Sequence, residues 1–195
     1  PDDGNVVGAI EHFGGPADEH VTGFDVGDAT AIVGGLFHGT MDVDGGGSVP
    51  ACTATDGDAF FVRLDAEDRQ PLAALCAEGI GDQIPRGVAI SRDGLATAMG
   101  GDFAEEIDWG TGSATIGSDA DGDAFAFAAD VELSVVVGET FGGGSGVRSV
   151  RAVDAQNSGR LLFAGTFTDA ILLPDGSHET AGSVDAFVVL YDAPP

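Results

Sequence analysis

Short apolar runs, punctuated by glycine, aspartate and serine, recur along the chain with the spacing of strands rather than helices. Three segments, AIVGGLFHGTMDV (31–43), ATAMGGDFAEEIDW (96–109) and LLFAGTFTDAILL (161–173), align on Phe37, Phe103 and Phe167, spaced 66 and 64 residues apart. Each Phe follows a glycine two positions earlier: Gly35, Gly101 and Gly165. A second anchor follows in every copy: GDAFFVRLD (57–65), GDAFAFAAD (122–130) and VDAFVVLYD (184–192), whose Asp58, Asp123 and Asp185 are 65 and 62 apart. Two anchors that keep one register through three copies establish an internal repeat.

Each copy predicts four strands. The first is FDV (24–26), GVAIS (87–91) or VRAVDA (150–155), and the Gly-Phe strand comes next. A turn then leads to the DAF strand, and PLAALCAEG (71–79) or LSVVVGETFGG (133–143) closes the unit. PLAALCAEG could form a short helix in isolation, but its β-branched counterpart favours a strand. The runs AFFV, FAFAA and AFVVL are almost continuously apolar, as strands covered on both faces are. No segment follows DAFVVLYDAPP as a fourth strand, whereas NVVGAIEHFGG (5–15) aligns with LSVVVGETFGG.

The expected fold is therefore all-β: one propeller-like domain over 1–195 with three four-stranded antiparallel blades. Its repeats span about 21–83, 84–146 and 147–192, and the strand at 5–15 completes the third. The displaced strand predicts a closed ring, two chains paired into six blades, or a piece of a longer array.

Composition changes this picture in two ways. Hydrophobic residues make up 43% of the 195, enough for a packed core, and 32 glycines suit a fold with many tight turns. Against 33 acidic residues stand only 7 basic ones, all arginine, for a net charge of −26. Such a surface repels phosphate, so nucleic acid and anionic membranes are poor partners. It fits a high-salt habitat or a high-GC genome, with a cationic partner or bound Ca²⁺ as alternatives. No run approaches the roughly 20 apolar residues of a membrane span. The start, PDDGN, has neither a basic nor an apolar segment, so export would require a leader already removed.

Candidate chemistry is sparse. His12, His20, His38 and His178 fall at unrelated points of the repeat and show no metal-ligand spacing. GGGSG (142–146) lacks the following helix and lysine of a phosphate loop. Glu105, Glu106 and Asp108 read as a solvated face rather than a catalytic pair. The metal candidate is SDADGDAF (118–125), where Asp119, Asp121 and Asp123 alternate around a glycine as Ca²⁺ ligands can. The alternative is turn chemistry, since no glutamate completes an EF-hand loop. Cys52 and Cys76, 24 residues apart in one copy, read as a local disulfide if the protein is exported, or else as two buried thiols.

The pattern resembles the bacterial seven-bladed β-propeller-type repeats of secreted and surface proteins. The match lies on Gly35, Phe37, Gly39, Thr40, Asp42, Gly45–Gly47, Asp58, Ala59, Phe60, Val62, Leu64 and Asp65, and again on Gly165, Thr166, Phe167, Asp185, Ala186, Phe187 and Val188. The second copy departs, with Ala104, Glu105 and Glu106 in place of the Gly-Thr turn. The usual lysine of the DAF strand is Arg63, Ala128 or Leu190. The resemblance implies a fold and an extracellular or cell-surface location, and supplies no catalytic residue. The expected function is a non-catalytic module binding protein or glycan. The alternative is an assembly subunit, a homo-oligomer that completes larger rings or fibres by strand exchange.

Overall fold

The computed structural model describes residues 14–44, 47, 49, 51–109, 116–117, 122–143, 146–157 and 159–192. The fold is all-β, built of several antiparallel sheets, none of which closes into a barrel. The first repeat contains β1 (Glu19–Val26), β2 (Thr30–Phe37), the short β3 (Thr40–Met41) and β4 (Cys52–Thr53), β5 (Asp58–Asp65) and β6 (Pro71–Cys76). The second contains β7 (Gln83–Ile90), β8 (Thr97–Phe103), β9 (Glu106–Ile107), β10 (Ile116–Gly117), β11 (Asp123–Ala129) and β12 (Val135–Phe141). The third contains β13 (Arg148–Ala155), β14 (Arg160–Phe167), β15 (Ala170–Leu173), β16 (Gly176–Glu179) and β17 (Asp185–Asp192).

Main sheets of order β1-β2-β5-β6, β7-β8-β11-β12 and β13-β14-β17 result, the first two four-stranded and the third three-stranded among the described residues. The expected closing strand at 5–15 lies outside the described residues apart from Gly14 and Gly15. PLAALC forms a strand, β6, as its aligned partner required. The first strand of each unit is longer than its apolar residues suggest, because its polar half pairs over the full length of the Gly-Phe strand.

Both sequence anchors have a shared structural cause. Gly35, Gly101 and Gly165 sit beside a bulge in the preceding strand, at Val21/Gly23, Pro85/Gly87 and Val150/Ala152. A Cβ on any of them would lie 2.1 Å from the carbonyl oxygen of His20, Ile84 or Ser149. It would also lie 2.6–2.8 Å from the ring of Phe60, Phe125 or Phe187. The DAF phenylalanine thus packs flat on the glycine of the neighbouring strand, which is why the two motifs travel together.

The sheets stack in chain order. β7 lies on β1 and β2, and β13 lies on β7 and β8. One core gathers Ile32, Ala59 and Phe61 from the first sheet against Met99, Phe103, Phe125 and Phe127 from the second, with Phe61 edge-on to Phe127 at 5.9 Å. Trp109, beyond β9, stacks on Phe127 at 4.2 Å between ring centres. Another core sets Ala98, Ala124, Ala126 and Ala128 against Phe163, Phe167 and Phe187 of the third sheet. A further cluster joins Phe37, Phe60 and Val62 on the outer face of the first sheet to Met41, Val43, Val49 and Cys52.

Candidate functional site

The polar groups that sequence singled out are dispersed. Asp119 and Asp121 lie outside the described residues. Asp123 opens β11, is 5% exposed, and accepts a hydrogen bond from Arg148 Nη1 at 2.9 Å. Among the described residues, no group of three His, Cys, Asp or Glu side chains stands close enough to share a metal. His20 lies on β1 and His38 follows β2, while His178 on β16 contacts Asp175 at 2.9 Å; His12 is outside the described residues. Glu106 and Asp108 use their backbones in β9 and in a bridge to Glu78. Cys52 and Cys76 are joined, with Cα atoms 6.0 Å apart, tying the β3–β4 hairpin to β6.

What polar chemistry does converge lies at the joints between sheets. Arg148 begins β13 and is fully buried. Its Nε donates to the carbonyl of Ala170 at 2.8 Å, and its Nη1 donates to that of Gly146 at 2.7 Å as well as to Asp123. At the equivalent position of β7, Gln83 is also fully buried, and its Nε2 donates to Gly81 and Glu106 carbonyls at 2.8 and 2.9 Å. Both residues therefore pin the hairpin of their own unit to the chain two residues before them. The guanidinium in one joint and the amide in the other bond counterpart carbonyls.

The difference falls on the DAF aspartates. Asp58, the counterpart of Asp123, is 1% exposed, and Gln83 holds across its joint the register position that Arg148 holds beside Asp123. Burial pushes the Asp58 carboxyl up to about 6, with Asp56 and Glu78 adding to the rise, against a hydrogen bond from the Thr55 backbone and the field of His38. Asp185, in the third unit, accepts from the Ala181 backbone N–H at 2.8 Å. In each unit where its partner is described, this aspartate serves the turn before its strand or the joint beside it.

A recess of about 230 Å³ opens at the second joint between Asp82, Ile84, Asp102, Phe103, Gly122 and Arg148. Asp102 in it accepts from Arg86 Nε at 2.8 Å and from Ser149 Oγ at 2.7 Å, bridging the second and third sheets. That contact holds the Arg86 guanidinium above its usual range. Arg63, 5% exposed, likewise crosses the first joint to the Val131 carbonyl, its burial lowering its pKa while Glu132 and Asp130 oppose the shift. These groups bind sheet to sheet.

Sequence reasoning missed Gln83, Arg148 and Arg63 because it sought groups that act on ligands. The available signal was position: Gln83 and Arg148 stand opposite Phe103 and Phe167, and Glu19 stands opposite Phe37. No family model matches the chain, and no curated protein matches it in sequence.

Proposed function

We propose that the chain is a non-catalytic interaction module of an extracellular or cell-surface protein, built of propeller-type blades. In this reading its three main sheets are consecutive blades, and the segment 5–15 would supply the fourth strand that the third lacks among the described residues. The observation that carries the reading is the contrast between the joints and the ends of the stack. Arg63, Arg148 and Asp102 at the joints are committed to neighbouring sheets, while the end sheets carry exposed apolar side chains among the described residues, including Phe24, 73% exposed, and Val188, 63% exposed. Exposed apolar area on a soluble sheet marks a contact surface.

The ligand class this predicts is protein or glycan. Glycan and peptide arrays probed with the purified chain should give saturable binding without turnover. Turnover of a bound glycan with a bell-shaped pH dependence would overturn the reading in favour of paired carboxylates. A second reading, an assembly subunit, is favoured by the same open faces. Deleting residues 1–13 separates the two modes of assembly: strand exchange predicts loss of any oligomer, whereas contact through sheet faces predicts loss of stability with the oligomer retained.

A further inference from the structure

The repeat register makes the two ends of the stack comparable with its interior, position by position. On the face that each sheet turns toward the preceding one, Phe24, Val26 and Val21 of β1 correspond to Val88, Ile90 and Pro85 of β7 and to Val153, Ala155 and Val150 of β13. Val88 and Ile90 are 9% and 4% exposed and Val150 is fully buried, whereas Phe24, Val26 and Val21 are 73%, 57% and 59% exposed. On the opposite face, Val188 and Leu190 of β17 correspond to Phe61 and Arg63 of β5 and to Ala126 and Ala128 of β11. Those four are at most 5% exposed; Val188 and Leu190 are 63% and 54% exposed.

The stack therefore ends in two different faces, and each is the kind that mates with the other at both internal joints. We propose that the third sheet of one chain receives the first sheet of a second copy, head to tail, continuing the stacking already present twice within the chain. This rests on the interaction-module reading and names its partner. A heterologous contact of this kind either closes a ring or propagates.

Polar positions agree. At the first joint the Asp25 carboxylate accepts the Ile90 backbone N–H at 3.0 Å. Asp154 occupies the place of Asp25 in the third sheet, and Val26 that of Ile90 in the first; in one chain the Val26 N–H donates to Asp25 Oδ1 at 2.8 Å, and between copies it would exchange that partner for Asp154. The new joint is not a replica. At the inner joints, Gly34 and Gly100 take a valine methyl so closely that a Cβ would stand 2.4 Å from it. At the first joint that valine is Val88, whose counterpart is Phe24, and at the second it is Val150, whose counterpart is Val21; Ala164 stands in place of the glycine in the third sheet, so the joint between copies is wider at its centre. Its apolar area comes instead from Phe24, Val188 and Leu190.

The test uses two single-end variants, Phe24→Asp and Val188→Asp, whose substituted side chains are solvent-exposed in one chain. Light scattering of the wild type at high salt is expected to give an oligomer of two or more chains. Each variant alone should lose the closed form, its dissociation constant rising by about 100-fold or more because a carboxylate is buried without a partner. Mixed, the two variants should associate again, one intact end of each meeting the other. A wild type that stays monomeric would overturn the proposal, as would a mixture that fails to associate while both variants keep the wild-type circular dichroism and melting transition. If the chain is monomeric but still binds array ligands, and Val188→Asp abolishes that binding, the interaction-module reading survives and the second copy does not.

Discussion

At the residue scale, the repeat is a record of close approach. Gly165 leaves no room for a Cβ between the Ser149 carbonyl and the Phe187 ring, so Gly165→Ala is expected to cost about 2 kcal/mol or more. Chemical denaturation read by far-ultraviolet circular dichroism measures it. Two residues after each anchor Phe, the backbone turns left-handed: φ is 68° at Gly39, 63° at Glu105 and 64° at Asp169. Only the first copy supplies glycine there. Glu105→Gly should therefore raise the unfolding free energy by about 1 kcal/mol, where most glycine substitutions lower it. Asp58 gives a pH signature. Its carboxyl is raised from 3.8 to about 6, so the folded chain holds this proton more tightly than the unfolded chain. The resulting stability is full below the unfolded value and is lost as pH rises through about 6. Asp65 and Asp93 are held low by backbone and hydroxyl donors, and their stabilisation is lost instead as pH falls. Asp58→Asn should remove the decline between pH 4 and 6, changing the folding constant by on the order of a hundredfold. A variant that keeps the wild-type slope would show that Asp58 is not its source.

At the element scale, the strands were legible in the sequence because the DAF and Gly-Phe runs are apolar and flank one another in the sheet. Thr30–Phe37 pairs with Asp58–Asp65 residue for residue, and the same pairing recurs in both later units. The first strand of each unit was read short because its buried members include Gln83 and Arg148, which no apolar pattern marks. The residues of β3 lie within the Gly-Phe run AIVGGLFHGTMDV, and no apolar pattern marks the β3–β4 hairpin as a separate element. It covers the part of the first sheet's outer face formed by Phe37, Phe60 and Val62, leaves Phe24 and Val26 of β1 exposed beside it, and is fixed there by the disulfide. Joining residues 24 apart should stabilise by about 3 kcal/mol. Replacing Cys52 and Cys76 together by alanine is expected to lower the melting temperature and to expose Phe37 and Phe60 to dye binding. An unchanged melting transition would mean that the hairpin holds without the bond.

At the scale of the whole molecule, charge and apolar surface oppose each other. Two chains of net charge −26 repel over a distance that salt shortens to about 10 Å at 0.1 M. Apolar faces attract more strongly as sulfate or phosphate salts are added. Nothing in the order of residues announced which faces would be left open; that follows only once the sheets are stacked and counterpart positions compared for exposure. The most direct test of this account is the mass of the purified 19.5 kDa chain across concentration, at low and at high salt. Head-to-tail stacking predicts a monomer at low salt and low concentration, passing to two or more chains as salt rises. A mass that stays at one chain under every condition, with the fold intact, would contradict it.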